Sequence, residues 1–205
     1  MSDAATVFIV DDEEAIRDSI AMLLRTVGLR SQCYPDAASF LREHQPEQPG
    51  CLVLDVRMPR MSGLELQQEL NRRGWTLPVI FITGHGDVPM AVEAMRAGAL
   101  DFLQKPFKDD ELIRRVQKAL AQDAQERAEL SERAQLRQRF EALTPREREV
   151  ARLVVAGQAN KVVALDLGLS ERTVELHRAH VMQKMGARSL PQLVQMLLLI
   201  EPPVA

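Results

Sequence analysis

The chain has 205 residues, 46% hydrophobic and 27% charged, with a formal net charge of −3 and a pI near 5.9. That length suits one or two globular domains, and the near-neutral balance excludes a wholly basic nucleic-acid coat while allowing a local basic surface. No apolar run approaches the ~20 residues of a membrane span, and no signal peptide is visible, so a cytoplasmic protein without membrane association is expected.

The first apolar run, Val7–Val10 (VFIV), ends in Asp11 and Asp12. A short unbroken run of this kind suits a strand covered on both faces. Glu14–Val27 follows as a helix, with Ile16, Ile20, Leu23, Leu24 and Val27 at helical spacing and Gly28 as its stop. Leu29–Tyr34 is a short, weak strand, and Asp36 can cap a small helix carrying Ala37, Phe40 and Leu41. The third strand is read in CLVLDVRMP, where Leu52–Val53–Leu54 delivers Asp55 to a strand end. A loop with Pro59 and Gly63 leads to a helix through Leu64 and Leu70, ending near Gly74. Val79–Ile82 (VIFI) ends in Thr83–Gly84. Asp87 and Pro89 open a helix with Val92 and Met95 on its inner face and Gly98 as its stop. Asp101–Leu103 is the fifth strand and leads to Lys105–Pro106. The helix after Pro106 places Leu112, Ile113 and Val116 inside.

Five strands alternating with helices predict an α/β fold, a parallel doubly wound sheet built from right-handed βαβ units. The common five-strand order, 2-1-3-4-5, has its switch point between strands 1 and 3. In that order strand 1 separates Cys33 from Cys51 by roughly 10 Å, so both are expected as buried free thiols. Asp11, Asp12, Asp55, Thr83 and Lys105 all fall at carboxyl ends of strands, the rim where such sheets bind ligands. Crowded carboxylates call for a cation, and an oxygen-only cluster suits Mg²⁺. A metal-screened Asp can attack phosphorus to form an aspartyl phosphate, with Lys105 and Thr83 within reach of the phosphoryl oxygens.

The VDD, CLVLDVRMP, FITGHGD and FLQKPF stretches, in this order, resemble the flavodoxin-like receiver domain of two-component response regulators. The resemblance covers Thr6 to about Leu120. It implies Asp55 as phosphoacceptor, Asp12 as direct Mg²⁺ ligand, Asp11 as ligand through water, and the Arg57 carbonyl as a further ligand. Thr83 and Lys105 would hold the phosphoryl group, Pro106 would follow a cis bond, and Phe102 would stand as the switch aromatic. The donor would be a sensor histidine kinase.

From Asp109 to Leu143 the chain is rich in Ala, Gln, Glu and Arg without Gly or Pro, so the last receiver helix is expected to run on past its domain. Its continuation is either a solvated spacer or a helix that pairs with its copy in a dimer. Thr144–Pro145–Arg146–Glu147 marks a new start, with Thr144 as cap, Pro145 at the first position and Glu147 closing a capping box. Val150, Leu153 and Val154 follow, and Gly157 ends that helix. Next come Asn160–Leu167, a turn at Gly168, and a helix over Glu171–Met185 capped by Ser170. Ala164, Gly168 and Val174 are spaced as a helix-turn-helix requires, though a plain helical hairpin shares that pattern. At 100° per residue, Val174, Val181 and Met185 form the buried stripe. Arg172, Glu175, Leu176, Ala179 and Gln183 lie opposite, flanked by Thr173, His180 and Lys184. His177 sits beside the stripe in a structural position. The final helix, Ser189–Ile200, turns Leu190, Leu193, Val194, Leu197 and Ile200 inward.

The stretch from LTPREREV through NKVVALDLGLSERTVELHRAHVMQKMG is similar to the LuxR-type DNA-binding domain, which makes Glu171–Met185 the recognition helix. Expected DNA contacts are Lys161, Arg172, Thr173, Glu175, Leu176, Ala179, His180 and Lys184. Glu175 either reads a base or orients Arg172 or Arg178. The implied organisation is a receiver over 1–120, a helical linker over 121–140 and an all-α helix-turn-helix domain over 141–205. The whole resembles a FixJ/NarL-like response regulator: phosphorylated by a histidine kinase, dimeric when phosphorylated, bound to promoter DNA and in contact with RNA polymerase. An aspartyl-phosphate phosphatase is the rival on the same fold, but it would want an acid where Arg57 stands. A non-phosphorylated interaction or DNA-binding protein is the other.

Overall fold

A computed structural model describes residues 5–84 and 88–201. The chain divides into two compact units, Met1–Arg127 and Ala128–Ala205. Among the described residues no helix is long and apolar enough to cross a membrane.

The first unit contains β1 (Thr6–Val10), α1 (Glu14–Thr26), β2 (Arg30–Tyr34), α2 (Ala37–Glu43), β3 (Gly50–Asp55), α3 (Gly63–Arg72), β4 (Val79–Thr83), α4 (Val88–Arg96), β5 (Asp101–Gln104) and the start of α5 (Asp109–Glu141). The strands pair in parallel in the order β2-β1-β3-β4-β5, as the alternation of elements implied. Successive side chains point to opposite faces, and both faces are covered. Phe8, Val10, Leu52, Leu54, Val79 and Phe81 pack with residues of α2, α3 and α4. Val7, Ile9, Cys51, Val53, Ile80 and Ile82 pack with residues of α1 and α5. This double coverage explains why β1, β3 and β4 read as continuous apolar runs.

Burial differs from the sequence reading at several positions. Cys33 is exposed while Cys51 is buried, because β2 is an edge strand and only Tyr34 of it is enclosed. Val27 is 43% exposed, lying at the C-cap of α1 beyond its packed face. On α4 the inner face is carried by Ala94, fully buried, while Val92 and Met95 are exposed. A small residue there lets the helix lie close to the sheet, which turns the larger side chains outward. Asp87, expected to open that helix, lies outside the described residues.

The loop before β3 is held by two residues well along α5. Gly50 N–H donates to buried Asp123 Oδ2 at 2.9 Å. Arg127 pairs with Asp123 at 2.9 Å and donates to the carbonyls of Pro46, Glu47 and Gln48.

Beside this loop, His44 is 6% exposed, stacked on Phe40 at 4.8 Å and edge-on to Phe8 at 4.5 Å. Burial, and then the Arg127 charge, lowers its pKa from 6.5 to about 4. The folded state therefore keeps His44 neutral where the unfolded chain protonates it. Stability is complete above the unfolded value and falls as pH drops from about 6.5 toward 4, by up to about 3 kcal/mol. His44→Phe, which keeps the ring, should remove this component. Urea denaturation at pH 7 and pH 4.5 measures it, and equal losses in both proteins would refute it.

The second unit contains the end of α5, then α6 (Pro145–Val155), α7 (Asn160–Leu167), α8 (Glu171–Met185) and α9 (Leu190–Ile200). Residues 128–135 of α5 are exposed, whereas Leu136 and Phe140 enter a core with Ala151, Val181, Met185, Leu193 and Leu197. Val150, Val154, Val163, Ala164 and Val174 form a second cluster where α6, α7 and α8 meet. Arg148 donates to the carbonyls of Glu141 and Leu143, satisfying groups that the end of α5 leaves open. Leu190, expected inward, is 38% exposed at the first turn of α9, whereas Leu193, Leu197 and Ile200 are buried.

Candidate functional site

At the carboxyl rim of the sheet the parallel register sets Val10 beside Leu54, Asp55 beside Ile82 and Thr83 beside Gln104. Asp11 and Lys105 are each one residue beyond their strands, so the chain's alternation aims them at the same point. Lys105 N–H donates to the Thr83 carbonyl at 2.8 Å. Its Nζ donates to Asp11 Oδ2 at 2.8 Å and Asp55 Oδ1 at 2.9 Å. The other carboxylate oxygens accept backbone N–H groups: Glu13 to Asp11 Oδ1 at 2.9 Å and Arg57 to Asp55 Oδ2 at 2.7 Å. Asp11 is fully buried, Asp55 and Thr83 nearly so. The Lys105–Pro106 bond is cis, as the receiver resemblance implied.

Asp12 is exposed at the rim, and among the described residues its carboxylate has no hydrogen-bond or ion-pair partner. Burial, opposed by Lys105 and reinforced by the Asp11 charge, holds the Asp55 carboxyl above its ordinary range. Burial works to lower the Lys105 pKa, but the hydrogen bonds to Asp11 and Asp55 outweigh it and hold it above its ordinary value. The donors gathered here are carboxylate and carbonyl oxygens, hard ligands that fit Mg²⁺. Among the described residues no three acidic, histidine or cysteine side chains close into a cage.

Two further features shape the rim. Gly63 opens α3 so close to β3 that a Cβ there would meet the Asp55 carbonyl oxygen at 2.2 Å. Sequence reading placed it only in a loop. The Ser62–Glu65 capping box, a pattern legible as S-x-x-E, starts that helix. Phe102 is half-buried, in register with Phe81 and packed against the core. His85, Gly86 and Asp87 of the FITGHGD stretch lie outside the described residues.

In the second unit, Gly168 ends α7 at φ +65°, a left-handed turn that glycine enters without steric cost. Ser170 caps α8 by accepting Thr173 N–H at 3.1 Å. Val174, Val181 and Met185 are buried. Arg172, Glu175, Leu176, Ala179 and His180 are exposed on α8, Lys161 is exposed on α7, and Thr173 is half-buried. Arg178 donates to Asn160 Oδ1, which removes one of the two arginines considered as partners for Glu175. Among the described residues Glu175 forms no ion pair. Lys184 differs from the other expected DNA contacts: its Nζ lies 2.9 and 2.7 Å from the two carboxylate oxygens of Glu147. Sequence reading saw Glu147 only as a cap, since nothing local links it to a lysine 37 residues on.

Residues 7–117 match the family of response regulator receiver domains, and residues 141–197 match the bacterial regulatory proteins of the luxR family. The chain is 49% identical over 199 residues to the transcriptional regulatory protein FixJ of Azorhizobium caulinodans, covering 97% of this chain and 94% of that protein. It is 43% identical over 196 residues to the response regulator protein TodT of Pseudomonas putida, covering 95% and 86%. The low-resolution structure of the response regulator StyR superposes with a TM-score of 0.86 at 44% identity, covering 95% of this chain and 98% of that one. With a receiver fold, a helix-turn-helix unit and full-length relatives of that organisation, the chain belongs to the two-component response regulators that join a receiver to a LuxR-type DNA-binding domain, and it is a phosphorylation-activated transcription regulator.

Proposed function

We propose that Asp55 is the phosphoacceptor and that its phosphorylation drives dimerisation and promoter binding. The observation that carries this reading is the Lys105 ammonium, held at 2.8 Å from Asp11 and 2.9 Å from Asp55. It sits where a phosphoryl group on Asp55 would need a counter-charge. The Asp55 oxygen attacks phosphorus of the kinase's phosphohistidine, the P–N bond breaks, and the imidazole leaves. Lys105 can shift from the carboxylate to a phosphoryl oxygen, and Thr83, buried beside it, can donate its hydroxyl. Asp11, Asp12, Asp55 and the Arg57 carbonyl are the residues that would hold Mg²⁺, which when bound supplies positive charge against the phosphoryl oxygens.

Phe102 has no hydroxyl to anchor, so its packing alone would follow Thr83. The face made by α4, β5 and α5 would then self-associate, and Val92 and Met95 already expose apolar surface on α4. The outer side of α9, with Leu198 and Leu199 exposed, would give the second unit a dimer contact of its own. Lys161, Arg172, Thr173 and His180 would position the domain on phosphates, while Glu175, Leu176 and Ala179 face base edges. As a transcription regulator it would act through RNA polymerase.

The test is to incubate the protein with Mg²⁺ and a small phosphodonor, reduce the acyl phosphate with borohydride, which expels phosphate and leaves homoserine at the acceptor, and locate that homoserine by mass spectrometry. Modification should map to Asp55. A stable acyl phosphate on any other residue would overturn the assignment.

A further inference from the structure

Glu147 is only 3% exposed, and its carboxylate receives more than a helix cap requires. Its Oε2 accepts Thr144 N–H at 2.8 Å, while Glu147 N–H donates to Thr144 Oγ1 at 3.2 Å, completing the capping box of α6. Beyond that, both oxygens accept from Lys184 Nζ, at 2.9 and 2.7 Å, and His180 Nδ1 lies 3.6 Å away. Lys184 and His180 belong to the second half of α8, whose exposed face carries Arg172, Glu175, Leu176 and Ala179.

Burial opposes the charge on Glu147, but Lys184 and the two Thr144 groups outweigh it and pull the carboxyl down to about 2. It is therefore an anion at any neutral pH, and an ammonium held by both its oxygens offers little net attraction to a polyanion. The lysine is nevertheless not entombed: its side chain is 41% exposed. The competing partner available to a cation on this helix is a DNA phosphate.

We propose that Glu147 is a positioning residue that acts as an internal stand-in for DNA phosphate, holding Lys184 against α6 and withholding one phosphate contact from each domain. This rests on the reading of α8 as the DNA-contacting helix. One lysine of the exposed face of α8 is thereby neutralised from beneath. The capping glutamate has a second effect, on affinity, which its place at a helix start does not reveal.

The decisive variant is Glu147→Gln in the full-length chain. Glutamine retains an acceptor for Thr144 N–H, so the cap survives, while the charge is removed. Binding to a mixed-sequence DNA duplex, measured across a salt series, should become several-fold tighter, with a slope of log K against log salt steeper by about 0.9 per domain. In a Lys184→Met background the same change should add nothing to that variant's own slope. Thr144→Ala, which weakens the cap but leaves Glu147 and Lys184 in place, should lower the melting temperature without steepening the slope. An unchanged or shallower slope for Glu147→Gln would overturn the inference, as would a steepening that persists without Lys184. A wild-type slope of zero would instead sink the DNA-binding reading, and the inference with it.

Discussion

Asp55→Asn should fold normally and take no phosphoryl group. The amide is nearly isosteric with the carboxylate, yet it presents one acceptor where the site offers two donors, the Lys105 ammonium and the Arg57 N–H. Its oxygen carries no negative charge and is a poor nucleophile toward phosphorus. The stability argument points the other way. Burial disfavours the Asp55 charge and the neighbouring Asp11 charge disfavours it further, so neutralising it leaves one lysine facing one aspartate. Loss of labelling cannot then be blamed on loss of fold. Labelling from a small phosphodonor with Mg²⁺ should fall to background, and sedimentation should show no phosphodonor-dependent dimer. Full labelling in the variant would place the acceptor elsewhere; a phosphodonor-dependent dimer without labelling would separate assembly from Asp55 altogether.

Lys105→Met should have the opposite balance, with a large cost in stability. Asp11 is fully buried and the Asp55 side chain is 8% exposed. In the absence of a divalent cation, the only positive group hydrogen-bonded to either carboxylate among the described side chains is Lys105. Methionine preserves much of the volume but leaves two buried anions side by side, and breaking a buried charge pair in this way costs roughly 3–5 kcal/mol. Since this rim is open on one side, the lower end, about 3 kcal/mol, is expected from urea denaturation at pH 7 with a chelator present. Adding Asp11→Asn to the variant should restore most of the loss, because it removes one of the two uncompensated charges. If Lys105→Met alone costs under about 1 kcal/mol, the ammonium is an exposed-type pair of little energetic weight, and the account of the rim as a charge-balanced site fails.

Local patterns carried most of the architecture. Uninterrupted apolar runs at Val7–Val10, Leu52–Leu54 and Val79–Ile82 identified strands covered on both faces, and the common order of five-stranded doubly wound sheets matches the observed β2-β1-β3-β4-β5. Threonine, proline and glutamate at 144, 145 and 147 announced α6, and the small–glycine–valine spacing announced the turn between α7 and α8. These readings succeed because backbone preference and side-chain period act within a few residues. The same locality put Asp11, Asp12, Asp55, Thr83 and Lys105 at strand ends in the primary structure, before any contact was known.

What locality could not decide is which faces are covered and which distant groups meet. Asp11 and Asp12 are adjacent and chemically identical, yet one is buried and hydrogen-bonded to Lys105 and the other is exposed. Cys33 is exposed through its edge position, and α4 is turned with Ala94 inward. Gly63 is needed because α3 starts against the Asp55 carbonyl, and Lys184 is ion-paired with a carboxylate on another helix. Asp123 and Arg127 are spaced i,i+4 on α5, and the fold brings a loop more than 70 residues away in sequence against them. Each of these depends on long-range packing, where the burial of one group is set by whatever element covers it, and that information exists only once the chain has closed on itself.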